Sequence, residues 1–190
     1  MDAVRTRRKR VGEDVIIREI RKGNLGYLSD ERYEPFISKA FTVLKAADEG
    51  EYQHNIRLLA AMMVNDELYG VRDDQCVLRA RRAISGMSLE RLGAFVAFMK
   101  CYNRLSEKPV TGNNPDGYVR SVRPRDLRTE FRESQYGANL VEAEDIISDF
   151  VSRGLARITV DVDGIGGVAY APTNAAREIC DEAVSMNEGT

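Results

Sequence analysis

The sequence predicts a mainly α fold with a small β-hairpin, in which an N-terminal helical module precedes a second domain of different texture. Three observations predict it. Apolar residues recur at helical spacing in several successive segments up to about residue 105. The stretch "SEKPVTGNNPDGY", from Ser106 to Tyr118, gathers prolines, glycines and asparagines into the clearest loop of the chain. Beyond it, "LARITVDVDGIGGVAYAP" has the strand–turn–strand pattern of a hairpin. The expected divisions are a disordered basic arm over residues 1–12, a helical module over 13–87 and a second domain over 88–190.

The arm is basic and carries no apolar period: from Arg5 to Arg10, Arg5, Arg7, Arg8, Lys9 and Arg10 make five of six residues cationic. Such a run is either a solvated tail or a phosphate-binding arm that adds salt-dependent affinity. Order is expected from near Asp14, with Val15, Ile16 and Ile20 as a short amphipathic stretch stopped by Gly23 and Gly26. A helix then starts at Ser29 or Asp30 and ends at Gly50. Its apolar stripe reads Tyr33, Phe36, Ile37, Ala40, Phe41 and Leu44, and Pro35 sits in its first turns, where proline is tolerated.

The next helix turns Ile56, Leu59, Ala60, Met63 and Val64 inward and stops at Gly70. Met62 and Met63 fit either a buried core or an adaptable binding groove, and the helical spacing favours the core. A third segment sets Cys76, Val77, Ala80 and Ile84 on one face, and Ser88 with Glu90 announces a fourth helix, "SLERLGAFVAFMKCYNRL". Short connections between such helices indicate a small antiparallel bundle, and self-association as a homodimer is expected of this module.

After the loop, "YVRSV" alternates like a short strand, and "RPRDLRTEFRESQYG" is a helix with Pro124 at its start. "ANLVEAEDIISDFVSRG" is a longer helix closed by Gly154, and "TNAAREICDEAVSM" is a last helix capped by Thr173. The order helix, short strand, helix, helix, strand, turn, strand, counted from Leu89, resembles a winged-helix domain. In that frame Asp161 to Gly167 is the wing, Leu155 and Ile158 turn under the preceding helix, and "AYAPTNAAREIC" is the exit into a closing helix. The segments "LLAAMMVND", "LRARRAISGMSLERLGAFVAF", "VSRGLARI" and "YAPTNAAREIC" together are similar in layout to the Abi-alpha group of abortive-infection proteins, a resemblance that carries no functional residue.

Winged helices bind DNA, RNA or protein, so the charges must decide. The helix that would enter a major groove, Asn139 to Arg153, offers Glu142, Glu144, Asp145 and Asp149 against Arg153. The wing adds Asp161 and Asp163. The preceding helix and its approach carry Arg120, Arg123, Arg125, Arg128 and Arg132 against three carboxylates. These arginines are either a phosphate-contacting ridge or an ion-paired face.

Catalysis has little support. The glycines of "GIGGVAYAP" run on into a strand rather than opening a helix, so they serve a turn and not a nucleotide. His54 is the single histidine, and Cys76, Cys101 and Cys180 are isolated among apolar residues, so they read as reduced core thiols; neither a metal nor a cofactor is expected. The richest apolar stretch, "LLAAMMV", falls far short of the roughly twenty residues of a membrane span, and the N-terminus lacks the pattern of a secretory signal. The expectation is therefore a cytoplasmic, non-enzymatic regulatory protein that binds duplex DNA through the arm and the Arg120–Arg132 ridge, such as a transcriptional or phage-defence regulator. The alternative is an adaptor that binds a protein partner through its acidic helix.

Overall fold

The computed structural model describes residues 2–26, 28–70, 75–105, 108–109, 118–119, 121–133, 143–160 and 168–188. Among these the chain is mostly helical, with short antiparallel strand pairs. It divides into two compact units, Met1–Ser88 with Asp181–Thr190, and Leu89–Cys180.

The first unit holds α1 (Asp2–Lys22), α2 (Asp30–Glu49), α3 (Gln53–Tyr69) and α4 (Cys76–Ile84). Helix α3 packs against the other three, which is why its apolar residues surround it instead of forming a stripe. Leu58, Leu59, Ala60, Met62 and Met63 are completely buried. The two methionines are core residues, and the face of α4 formed by Cys76, Val77, Ala80 and Ile84 is buried as the spacing requires. Helix α2 ends on Gly50, whose φ of 87° is left-handed, and the amides of Gly50 and Glu51 close the last turn on Ala47 and Ala46.

Two expectations are corrected here. Residues 2–12 of the expected arm are helical, because α1 runs unbroken from Asp2. Gly12 allows α1 to approach α2 so closely that a Cβ at this position would stand 2.9 Å from Ala47 Cβ. Arg5 then clasps Asp48, while Val15 and Ile16 enter the core. The buried arc of α2 is also rotated from the expected stripe. Phe36, Lys39, Val43, Ala46 and Ala47 face inward, whereas Tyr33, Ile37 and Phe41 are exposed. An ionic cluster accounts for the rotation, since Lys39 reaches Asp66 and Glu67 of α3 and the whole arc must follow it inward.

The second unit holds α5 (Leu89–Arg104), β1 (Lys108–Pro109), β2 (Tyr118–Val119), α6 (Pro124–Glu133), α7 (Ala143–Ser152), β3 (Ala156–Val160) and β4 (Val168–Pro172); α8 (Asn174–Glu188) begins here. Phe95 and Phe98 of α5 meet Phe150 of α7 at ring-centroid distances of 5.7 and 5.9 Å, and Leu155 beneath α7 is fully buried. Ile158 is 65% exposed, against expectation, although Ala156, two residues earlier on the same face of β3, and its strand partner Tyr170 are buried. Strand β4 carries a further partner: Val122 and Tyr170 exchange backbone hydrogen bonds of 2.7 and 2.9 Å. Thr173 caps α8, its hydroxyl oxygen accepting from the Ala176 amide at 3.2 Å and its hydroxyl donating to the Gly154 carbonyl at 2.7 Å. The wing segment Asp161–Gly167 lies outside the described residues.

Candidate nucleic-acid interface

The helical state of residues 2–12 changes what their charges can do. A helix sends successive side chains about 100° apart, so Arg5, Arg7, Arg8, Lys9 and Arg10 no longer act as one run. Arg5 faces α2 and grips Asp48 through three hydrogen bonds, Nε donating to Oδ1 at 2.9 Å and to Oδ2 at 3.0 Å, and Nη2 donating to Oδ2 at 2.8 Å. That hydrogen bond, with the fields of Arg5, Lys9 and Arg8, holds the Asp48 carboxyl below its usual value. Arg8 lies against Gly50, where a Cβ would stand 2.9 Å from its guanidinium carbon. It thus sits at the C-terminal end of α2, the end a cation stabilises.

Arg10 lies on the opposite side of α1 and Arg7 on its flank, beside a cleft that Val4, Val11, Gly50 and Gln53 also line, and the outward face continues through Arg18 and Arg21. All four are exposed, in a row about 21 Å long that is broken only by Asp14 and Ile17. Across α1 as a whole, eight basic residues stand against four acidic ones. Sequence reasoning missed Arg18 and Arg21 because it ended the basic segment at residue 12. Their signal was the spacing 7, 10, 18, 21, legible only once the helix is extended back to its true start.

Among the described residues of the second unit, several opposite charges pair with one another. Arg123 bonds Asp126 through its side chain at 3.4 Å, and Arg125 lies 3.8 Å from the same carboxylate. Arg128 of α6 meets Glu144 of α7 at 2.7 Å. The Glu144 carboxyl is held below its usual value by a hydrogen bond from its own backbone and then by Arg128. Asp149 accepts from Arg153 at 2.9 Å and lies 3.6 Å from Arg91. Of the acidic face, Asp145 is exposed. Arg132 lies in α6, while Arg120 and Glu142 fall outside the described residues. Arg128 and Glu144 thus join α6 to α7, while Arg123 and Arg125 answer Asp126 of their own helix.

His54 bonds the Met87 carbonyl through Nε2 at 2.9 Å and stacks on Tyr52. The three cysteines are buried thiols, and burial, with the fields of Asp126 and Glu130, pushes that of Cys101 up to about 11. A cavity of about 380 Å³ in the first unit is walled by Glu19, Lys22, Arg57, Asn65, Tyr69 and Glu182. Opposite charges balance within it, and no serine, cysteine or histidine lines it. Among the described residues no group of three or more metal-ligating side chains occurs, and no helix is long and apolar enough to cross a membrane.

The elements and charges define a mostly helical protein with a small antiparallel hairpin. No family model, no curated protein and no solved structure matches the chain.

Proposed function

We propose that the protein is a non-enzymatic regulator that binds duplex nucleic acid through the outward face of α1, with a winged-helix arrangement in its second unit. The observation that carries this reading is the exposed row Arg7, Arg10, Arg18 and Arg21 on one formed helix. A rigid row of guanidinium groups suits phosphate oxygens, because Arg presents a planar fork of donors and the helix fixes their spacing. The winged-helix reading is supported by the order α5, Val122 bridge, α6, α7, β3, β4, and by Val122 adding a third strand segment beside Tyr170. The adaptor alternative has less to offer a partner, since arginines hold Glu144 and Asp149.

Each phosphate neutralised contributes about −0.9 to the slope of log affinity against log salt. Four contacts give about −3.6, so a fourfold rise in salt lowers affinity roughly 150-fold. Fluorescence anisotropy with a labelled duplex at two salt concentrations measures this. Replacing the four arginines by glutamine flattens the slope by about 3 to 4. A protein that binds no duplex even at low salt overturns the nucleic-acid reading, and a slope that the replacement leaves unchanged removes α1 from it.

A further inference from the structure

Helix α2 carries an apolar stripe that its own unit leaves uncovered. Tyr33, Ile37 and Phe41 follow at four-residue spacing and are 57%, 48% and 66% exposed. Ala40 and Leu44, each partly exposed, border the stripe on the side nearer the core. At 100° per residue the stripe is centred about 130° around the helix from the buried arc of Phe36, Lys39, Val43, Ala46 and Ala47. Arg5 of α1 covers the same face further on, at Asp48, so the uncovered part runs from Tyr33 to Phe41, where a partner can seat without displacing the core of the unit.

Two exposed charges select that partner. Glu34 and Lys45 stand on one flank of the stripe, about 60° and 80° from Ile37, and lie about 16 Å apart along the axis. A two-fold axis perpendicular to α2 near residues 39 and 40 lays the same flank of a second copy alongside, running the opposite way. Glu34 of each copy then faces Lys45 of the other, and Ile37 and Phe41 interleave between these pairs. A parallel arrangement sets this flank against the opposite one, where Phe36 and Ala47 are buried and no charge answers Glu34 or Lys45. Complementarity of this kind is what an isologous interface requires of a single surface.

We propose that the protein forms a two-fold antiparallel dimer through α2, with Tyr33, Ile37 and Phe41 as its seam and reciprocal Glu34–Lys45 pairs at its ends. The proposal rests on the expected self-association of the helical module and is independent of duplex binding. The test is the mass of the full chain in solution, by sedimentation equilibrium across the micromolar range, with circular dichroism reporting the fold of each variant. The expected mass is twice the 21.3 kDa of one chain. Phe41→Glu raises the dissociation constant roughly ten-fold or more. Glu34→Lys and Lys45→Glu each weaken the dimer alone, and mixing these two variants restores it, because every pair is then opposite in sign. A misfolded variant does not reassemble on mixing, so the rescue separates the interface from the fold. A monomer throughout the range overturns self-association itself. A dimer indifferent to Phe41→Glu overturns this surface, and a failure of the mixed variants to reassemble overturns the antiparallel register.

Discussion

Lys39 offers a direct test of what fixes the orientation of α2. It is 4% exposed, as are Asp66 and Glu67 to within 2 percentage points, and its ammonium bonds both carboxylates, reaching Glu67 at 3.0 Å. Burial alone would lower the affinity of Lys39 for its proton, but the hydrogen bonds to Asp66 and Glu67 outweigh it and hold the group above the ordinary lysine value of 10.5. A raised folded value means that this stabilisation is complete below 10.5 and is lost only as pH rises through the folded value. Lys39→Met keeps the apolar stem and removes the ammonium that Asp66 and Glu67 share. Removing one partner of a buried ion pair costs about 3–5 kcal/mol, a large part of the 5–15 kcal/mol typical of a folded domain. Urea unfolding followed by circular dichroism measures the change. Adding Asp66→Asn and Glu67→Gln to Lys39→Met neutralises all three residues and recovers most of the loss, since a neutral core can replace a buried triad at little cost. A loss below about 1 kcal/mol for Lys39→Met would falsify the idea that this cluster is held away from water.

Gly12→Val places a branched side chain where a Cβ already stands 2.9 Å from the fixed Cβ of Ala47. It should lower stability by about 1–3 kcal/mol in the same unfolding measurement, whereas an unchanged midpoint would mean that α1 does not pack on α2. Glu51 is partly buried, yet hydrogen bonds from Asn55 Nδ2 and from the Tyr52 and Gly86 amides outweigh that burial and hold its carboxyl below the ordinary value of 4.5. A depressed folded value means that its stabilisation is present above 4.5 and is lost as pH falls through the folded value. Glu51→Gln should therefore cost about 1–3 kcal/mol at neutral pH, and thermal melts should show the gap to the parent protein closing in acid. A gap of constant size across that range would remove ionisation from the account.

The helices of the first unit were legible where one signal sufficed. Ser29 and Gly50 bracket α2, Gly70 ends α3, and the all-round apolar surface of α3 reports a central helix. Periodicity could not set the rotation of α2, because Lys39 scores as polar while its three-residue cluster makes it a buried residue. The start of α1 was hidden for a similar reason. Its first ten residues bury almost nothing apolar, and what holds them is Arg5 on Asp48, Arg8 at the end of α2 and the close approach at Gly12. These partners are about forty residues away in sequence, beyond the reach of any local pattern. In the second unit the hairpin and the cap at Thr173 were legible, but the joining of Arg128 to Glu144 across two helices was not. Counting charges along the chain gave a basic ridge and an acidic face; in space Arg128 and Glu144 belong to one ion pair.

The pairing of Arg128 with Glu144 and of Arg153 with Asp149 is why the proposal places duplex contact on α1, and α1 also ties the two proposals together. Helices α1 and α2 pack within the same unit, so a two-fold axis across α2 repeats the Arg7, Arg10, Arg18 and Arg21 face once in each copy. A single chain offers four arginines to phosphate and a salt exponent of about 3.6; two faces engaging one duplex double this to about 7. The variants separate the contributions. Arginine replacement flattens the slope and leaves the mass of the dimer unchanged, because none of the four lies on α2. Phe41→Glu halves the mass, and it also halves the slope if both faces grip one duplex. A slope that survives dissociation intact would mean that each chain holds its own duplex, and that the α2 interface serves assembly without adding to affinity.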